Sequence, residues 1–121
     1  MDVSLQKDGV RIRVLDGPYV EKGKPTPRAV KDYTRLIRQL DDLKGFAAER
    51  LMDLYNNTWL DDDIGTVDRA SFMARLTNPS IHLYDELGAA VVYFEDGGLF
   101  AGHRIEVSIN DGVPTDAGII G

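Results

Sequence analysis

The chain has no cysteine among its 121 residues. That excludes a disulfide, a thiolate nucleophile and any Cys-ligated zinc or iron–sulfur site. Long apolar runs are missing too. The longest, Leu87 to Phe94, is eight residues and is broken by Gly88, whereas a membrane helix needs about 20. Met1-Asp2-Val3-Ser4 has neither a basic n-region nor an apolar h-region, so no signal peptide is expected. The expected location is the cytoplasm. Asn56-Asn57-Thr58 matches a glycosylation sequon, which matters only on secretion. The chain lacks a P-loop, a nucleophile elbow and a dinucleotide fingerprint. Gly97-Gly98-Leu99-Phe100-Ala101-Gly102 is glycine-rich, without the spacing or the following helix. No catalytic residue and no cofactor is expected, and the chain reads as a non-enzyme.

Basic residues are scarce in the second half. Residues 51–121 hold 3 Lys/Arg against 12 Asp/Glu, while residues 1–50 hold 11 against 8, for a net charge of −6. So acidic a half repels phosphate backbones, which argues against nucleic acid and favours encounter with a basic partner. The rest is ordinary: 43% hydrophobic and 28% charged residues, the composition of a globular chain. The length suits one domain over 1–121.

Val3-Ser4-Leu5 and Val10 to Leu15 alternate around Lys7-Asp8-Gly9, the signature of a hairpin with Val10, Ile12 and Val14 inward and Arg11 and Arg13 outward. Gly17-Pro18 ends it, and residues 21–27 read as a loop. Thr26-Pro27 starts a helix. Its expected buried face is Val30, Tyr33, Ile37 and Leu40. Lys44-Gly45 reads as a C-cap or kink, before a second helix with Ala47, Leu51 and Leu54 buried, Phe46 and Tyr55 as further candidates, and Asn56-Asn57 at its end. The two helices form either an antiparallel hairpin or one bent helix. Thr66 is the expected cap of a short third helix carrying Phe72, Met73 and Leu76, stopped by Asn78-Pro79. Ile81–Tyr84, Ala89–Glu95, His103–Ile109 and Ala117–Ile120 read as strands, separated by the turns Asp96-Gly97-Gly98 and Asn110-Asp111-Gly112. The predicted class is α+β: an N-terminal β-hairpin, two or three helices, then a C-terminal antiparallel meander packed on them.

Candidate chemistry is sparse. Asp61-Asp62-Asp63-Ile64-Gly65 superficially resembles a calcium loop. With Gly65 at the sixth position, however, the first falls on Leu60 and the twelfth, which needs a bidentate Glu, on Ser71. A solvated acidic loop, or a docking patch, is the better reading. His103 shares the phase of Ile105 and Val107 and reads as a structural, partly buried histidine. His82 lies opposite in phase to Ile81 and Leu83, so the two histidines make no metal pair. The carboxylate pairs Glu95/Asp96 and Asp85/Glu86 fall at turns and are expected to be solvated. Trp59, the single tryptophan, reads as a core anchor, with an interface hot spot as the alternative.

Two stretches carry a resemblance. They are Ala47-Ala48-Glu49-Arg50-Leu51 through Leu54-Tyr55-Asn56-Asn57-Thr58-Trp59-Leu60-Asp61, and Asp96 to Ser108 with the closing Ala117–Gly121. Together they resemble a bacterial domain family of unknown function, over roughly residues 25–121. The sharpest part is Leu-Phe-x-Gly-His-x-Ile-x-Val-Ser. The family typically has a large aromatic where Ala101 stands. Such families occur among candidate immunity proteins of polymorphic-toxin systems. The resemblance thus implies a small cytoplasmic protein that binds and blocks a cognate protein toxin. The alternative is a structural or regulatory domain without a toxin partner. Asp61, Asp62, Asp63, Asp68, Trp59 and Glu106 are the expected partner-binding residues, facing a basic toxin such as a nuclease.

Overall fold

The structure, a computed structural model, describes residues 1–121. Alternation builds its first hairpin: β1 (Val3–Lys7) and β2 (Val10–Val14) pair antiparallel with Leu5 opposite Ile12. Asp8 and Gly9 both have positive φ, 53° and 77°, which matches the twist of the flanking strands. Val10, Ile12 and Val14 are buried and Arg11 and Arg13 exposed. The stretch expected as a loop holds two short strands, β3 (Val20–Glu21) and β4 (Lys24–Pro25), which pair with each other.

Helix α1 (Pro27–Arg38) starts where Thr26 Oγ1 accepts from Ala29 N at 3.1 Å. Its buried face is Ala29, Tyr33 and Leu36, and Val30 is 39% exposed. The face is therefore rotated one residue from the expected set. Only Gln39 separates α1 from α2 (Leu40–Leu54). One residue cannot reverse the chain, so the helices meet at a corner and not as a hairpin. Gly45 lies inside α2 and caps nothing. The Arg69 guanidinium fills the space where a Cβ would stand. Winding continues past Asn56-Asn57 as one π-helical turn, Tyr55–Trp59.

Helix α3 (Arg69–Arg75) is capped by Asp68, whose Oδ1 accepts from Ser71 N at 2.8 Å, and not by Thr66. Phe72 is buried beneath it. Asn78-Pro79 does not stop the helix, because it lies within the next strand, β5 (Thr77–Leu83). Asn78 has φ +50° and the register slips between Thr77 and Ser80, the kind of bulge in which a strand tolerates proline. Strands β6 (Ala89–Glu95), β7 (Arg104–Asn110) and β8 (Val113–Ile120) complete the antiparallel meander. The last begins four residues before the expected Ala117.

The hairpin does not stand apart from the meander. Strand β2 pairs in parallel with β5, Ile12 beside Ile81, giving one six-stranded sheet in the order β1-β2-β5-β6-β7-β8. The class is α+β. The inward residues Ile12, Ile81, Val92, Phe94, Ile105 and Val107 join Tyr33, Leu43, Leu51, Tyr55 and Phe72 in one core cluster. All three helices thus lie against one face of the sheet. Arg11, Arg13, His82, Tyr93, Arg104 and Glu106 are on the other face, which no helix covers. No helix is long and apolar enough to cross a membrane.

Candidate functional site

The acidic loop is pinned from the π turn. Tyr55 Oη donates to Gly65 O at 2.9 Å and accepts from Asp61 N at 3.2 Å. The Asn56 amide bonds both Val67 N and Val67 O at 3.0 Å. Asp61 Oδ1 accepts from Asp63 N and Ile64 N at 2.8 and 3.2 Å, so this carboxylate serves its own turn. Asp68 serves α3, and its hydrogen bonds from Ser71 hold its pKa below the ordinary carboxylate value. Asp62 and Asp63 are exposed and form no salt bridge. No three His, Asp or Glu side chains converge as metal ligands.

Trp59 sits beside this loop with its ring 5.7 Å from both Phe100 and His103, edge-to-face in each case. His103 is half-buried, and its Nδ1 donates to Phe100 O at 2.5 Å. Ala101 is exposed with φ +58°. Glu106 belongs elsewhere: it projects from β7 on the uncovered face of the sheet. The structure thus gathers Trp59, Asp61, Asp62, Asp63 and Asp68 in one region and separates Glu106 from them.

Asp96 corrects a reading made from turn chemistry. It is 3% exposed, the one buried charged residue. Its Oδ1 accepts from Gly98 N, and its Oδ2 from Phe100 N and Gly102 N, at 2.8 to 3.1 Å. Gly102 is accordingly part of this turn, with φ +85°. The carboxylate folds the loop that carries Phe100 beneath Tyr55, Trp59 and Phe72.

The densest set of recognition-type side chains is on the uncovered sheet face. Tyr93 is at its centre. The Arg104 guanidinium stacks on its ring at 4.7 Å, the His82 ring meets it edge-on at 4.8 Å, and its Oη lies 3.0 Å from Tyr84 Oη. Burial, first, and then the Tyr84 hydroxyl and Glu106 push the Tyr93 pKa up to about 12, so the phenol keeps its proton. Burial, followed by Arg13 and Arg104, pushes the His82 pKa below its ordinary value, so the imidazole favours its neutral form. Beside the cluster a shallow depression of about 410 Å³ runs between Gln6, Arg11, Arg13 and His82. Alternation along β7 places Arg104 outward. Tyr84 and Tyr93 escaped the sequence reading because they meet His82 and Arg104 only through the register of β5, β6 and β7.

No curated protein and no solved structure matches the chain. A family model described as an uncharacterized protein conserved in bacteria, DUF2262, matches residues 13–119. That span takes in α1 to α3, the meander and most of the Tyr93 face, and the chain belongs to this bacterial family.

Proposed function

We propose that the chain is a cytoplasmic protein-binding module and that its partner is a toxin, which it neutralises by occlusion. The observation that supports this reading is the Tyr93 cluster. Tyrosine and arginine dominate binding hot spots. Here they are already held by stacking and by a hydroxyl pair, so little side-chain freedom remains to be lost on binding. Blocking a toxin requires a rigid complementary surface and no catalytic group. The partner class comes from the resemblance to candidate immunity families. The net charge of −6 and the unpaired Asp62 and Asp63 suit a basic toxin, which they steer on approach.

The test is capture from native lysate with tagged protein at low and high salt, followed by expression of the captured partner in a host. The expected partner is basic and toxic alone, and co-expression of this chain relieves the toxicity. Tyr93→Ala/Arg104→Glu abolishes the protection. Asp62→Lys/Asp63→Lys slows association and leaves protection intact at high protein levels. A partner harmless on its own overturns the inhibitor reading. One retained undiminished by Tyr93→Ala/Arg104→Glu, with the variant folded by circular dichroism, overturns the surface.

A further inference from the structure

Away from both regions, a cleft of about 240 Å³ opens between α1 and the ends of β5, β6 and β7. Its floor is apolar: Leu36, Leu83, Ala90 and Ile109, each at most 6% exposed. Arg28, Lys31 and Arg35 stand along one side, spaced i, i+3 and i+7 on a single helix face. Two carboxylates also reach the rim, and both are engaged by Arg28: Asp32 at 2.9 Å and Asp111 at 3.8 Å. Asp32 accepts a second bond from the Tyr19 hydroxyl at 2.6 Å, and the Tyr19 oxygen accepts from Gly88 N at 2.7 Å. Tyr19 is 1% exposed, so this end of the cleft is a fixed, hydrogen-bonded wall.

Lys31 and Arg35 have no carboxylate partner. Three cations against two carboxylates leave the rim positive in a chain that is acidic overall. The backbone opposite is pared down to admit these charges. A Cβ at Gly112 would lie 2.5 Å from Arg35 Cζ, and one at Gly88 would collide with the Asp111 carboxylate. Both glycines also hold positive φ, 78° and 89°.

The geometry points to a binding site for a small organic carboxylate with an apolar body. The carboxylate meets Arg35, whose planar fork suits it, with Lys31 beside it. The body covers Leu36, Leu83, Ala90 and Ile109. An apolar cavity of about 150 Å³ holds benzene, so 240 Å³ takes a ligand of about ten non-hydrogen atoms, its carboxylate included. Asp32 and Asp111 turn away a dianion and favour a single negative charge.

The experiment is a titration of the full chain with benzoate, read by amide chemical shifts. Benzyl alcohol serves as the neutral body and inorganic phosphate as the bodiless anion. The expected result is saturable shifts at Arg35, Gly88 and Gly112 with a dissociation constant of about 1 mM. Both comparators bind at least about tenfold more weakly. Arg35→Glu weakens benzoate about tenfold or more. Arg38→Glu makes the same charge change on an exposed residue of α1 outside the cleft and leaves the affinity unchanged. Absence of saturable shifts overturns the site, as does equal weakening by Arg38→Glu. Phosphate binding as tightly as benzoate overturns the apolar body.

Discussion

Asp96 gathers three backbone N–H groups of the loop that follows it. Of these, Phe100 N has no access to water, while Gly98 and Gly102 are in exposed residues. Asp96→Ala therefore leaves one donor stranded and hands two to solvent, and it removes charge-assisted bonds. The expected loss is about 3 kcal/mol, with Asp96→Asn costing about half of that because one acceptor oxygen survives. Urea midpoints at constant slope check this; a loss below about 0.5 kcal/mol would mean that water caps the loop equally well. His82 carries a different residue-scale effect. Its folded pKa is lowered from 6.5, by burial first and then by Arg13 and Arg104. As the pH falls below 6.5 the unfolded chain takes up a proton that the folded chain still refuses. Stability then falls with pH until the folded pKa is passed. Above 6.5 both states are neutral and the effect vanishes. His82→Gln should flatten the drop in urea midpoint between about pH 7.5 and about pH 5.5. An identical drop in both proteins would assign it to other groups.

Two glycines show that elements, and not residue types, decide what a substitution does. Gly45 lies in the interior of α2, and what occupies its missing Cβ is the mobile end of Arg69, whose exposed bridge to Glu49 is worth little. Gly45→Ala should swing Arg69 aside and stabilise the helix by up to about 1 kcal/mol. Gly97 has φ +59°, and its Cβ would collide with the Arg75 carbonyl and Cβ at the end of α3. Gly97→Ala should cost about 2 kcal/mol or more, since the obstacle is backbone. Thermal unfolding of the two variants separates them by sign, and two shifts of the same sign would sink the argument. The same distinction explains what was legible in the sequence. The Asp8-Gly9 hairpin, the Thr26 cap, the apolar run of β6 and the alternation of β7 are local signals, and the structure has a hairpin, a cap and two strands there. Thr66 and Asp68 are both good caps. Asp68 prevails because Asn56 claims Val67 N and O from eleven residues away. Gln39 carries no breaking chemistry at all, and Asp96 reads as a turn carboxylate until Phe100 is packed beneath three other rings. The Tyr93 cluster needs the register of three strands, which no single window contains.

At the scale of the whole molecule, the unforeseen feature is the parallel seam between β2 and β5. It pairs Ile12 with Ile81 across the entire helical segment, whereas Val92 and Val107 pair across a single turn. Separations of 69 and 15 residues differ in loop-closure cost by about 1.4 kcal/mol before any contact is gained. The meander should accordingly form first and the N-terminal hairpin dock late. Ile12 is 2% exposed and Val107 fully buried, so Ile12→Ala and Val107→Ala should each cost about 2 to 3 kcal/mol, enough for reliable kinetics. Stopped-flow chevrons should then divide the two. Val107→Ala slows folding, with a φ-value of about 0.5 or more, while Ile12→Ala mainly speeds unfolding, with a φ-value below about 0.2. The reverse order would place the nucleus at the seam. The same late docking bears on recognition, because Arg11, Arg13 and His82 bound the depression that lies across the seam. If β1 and β2 dock last, that half of the uncovered face is also the half that opens most readily, and the Tyr93 cluster on β5 to β7 remains as its rigid part.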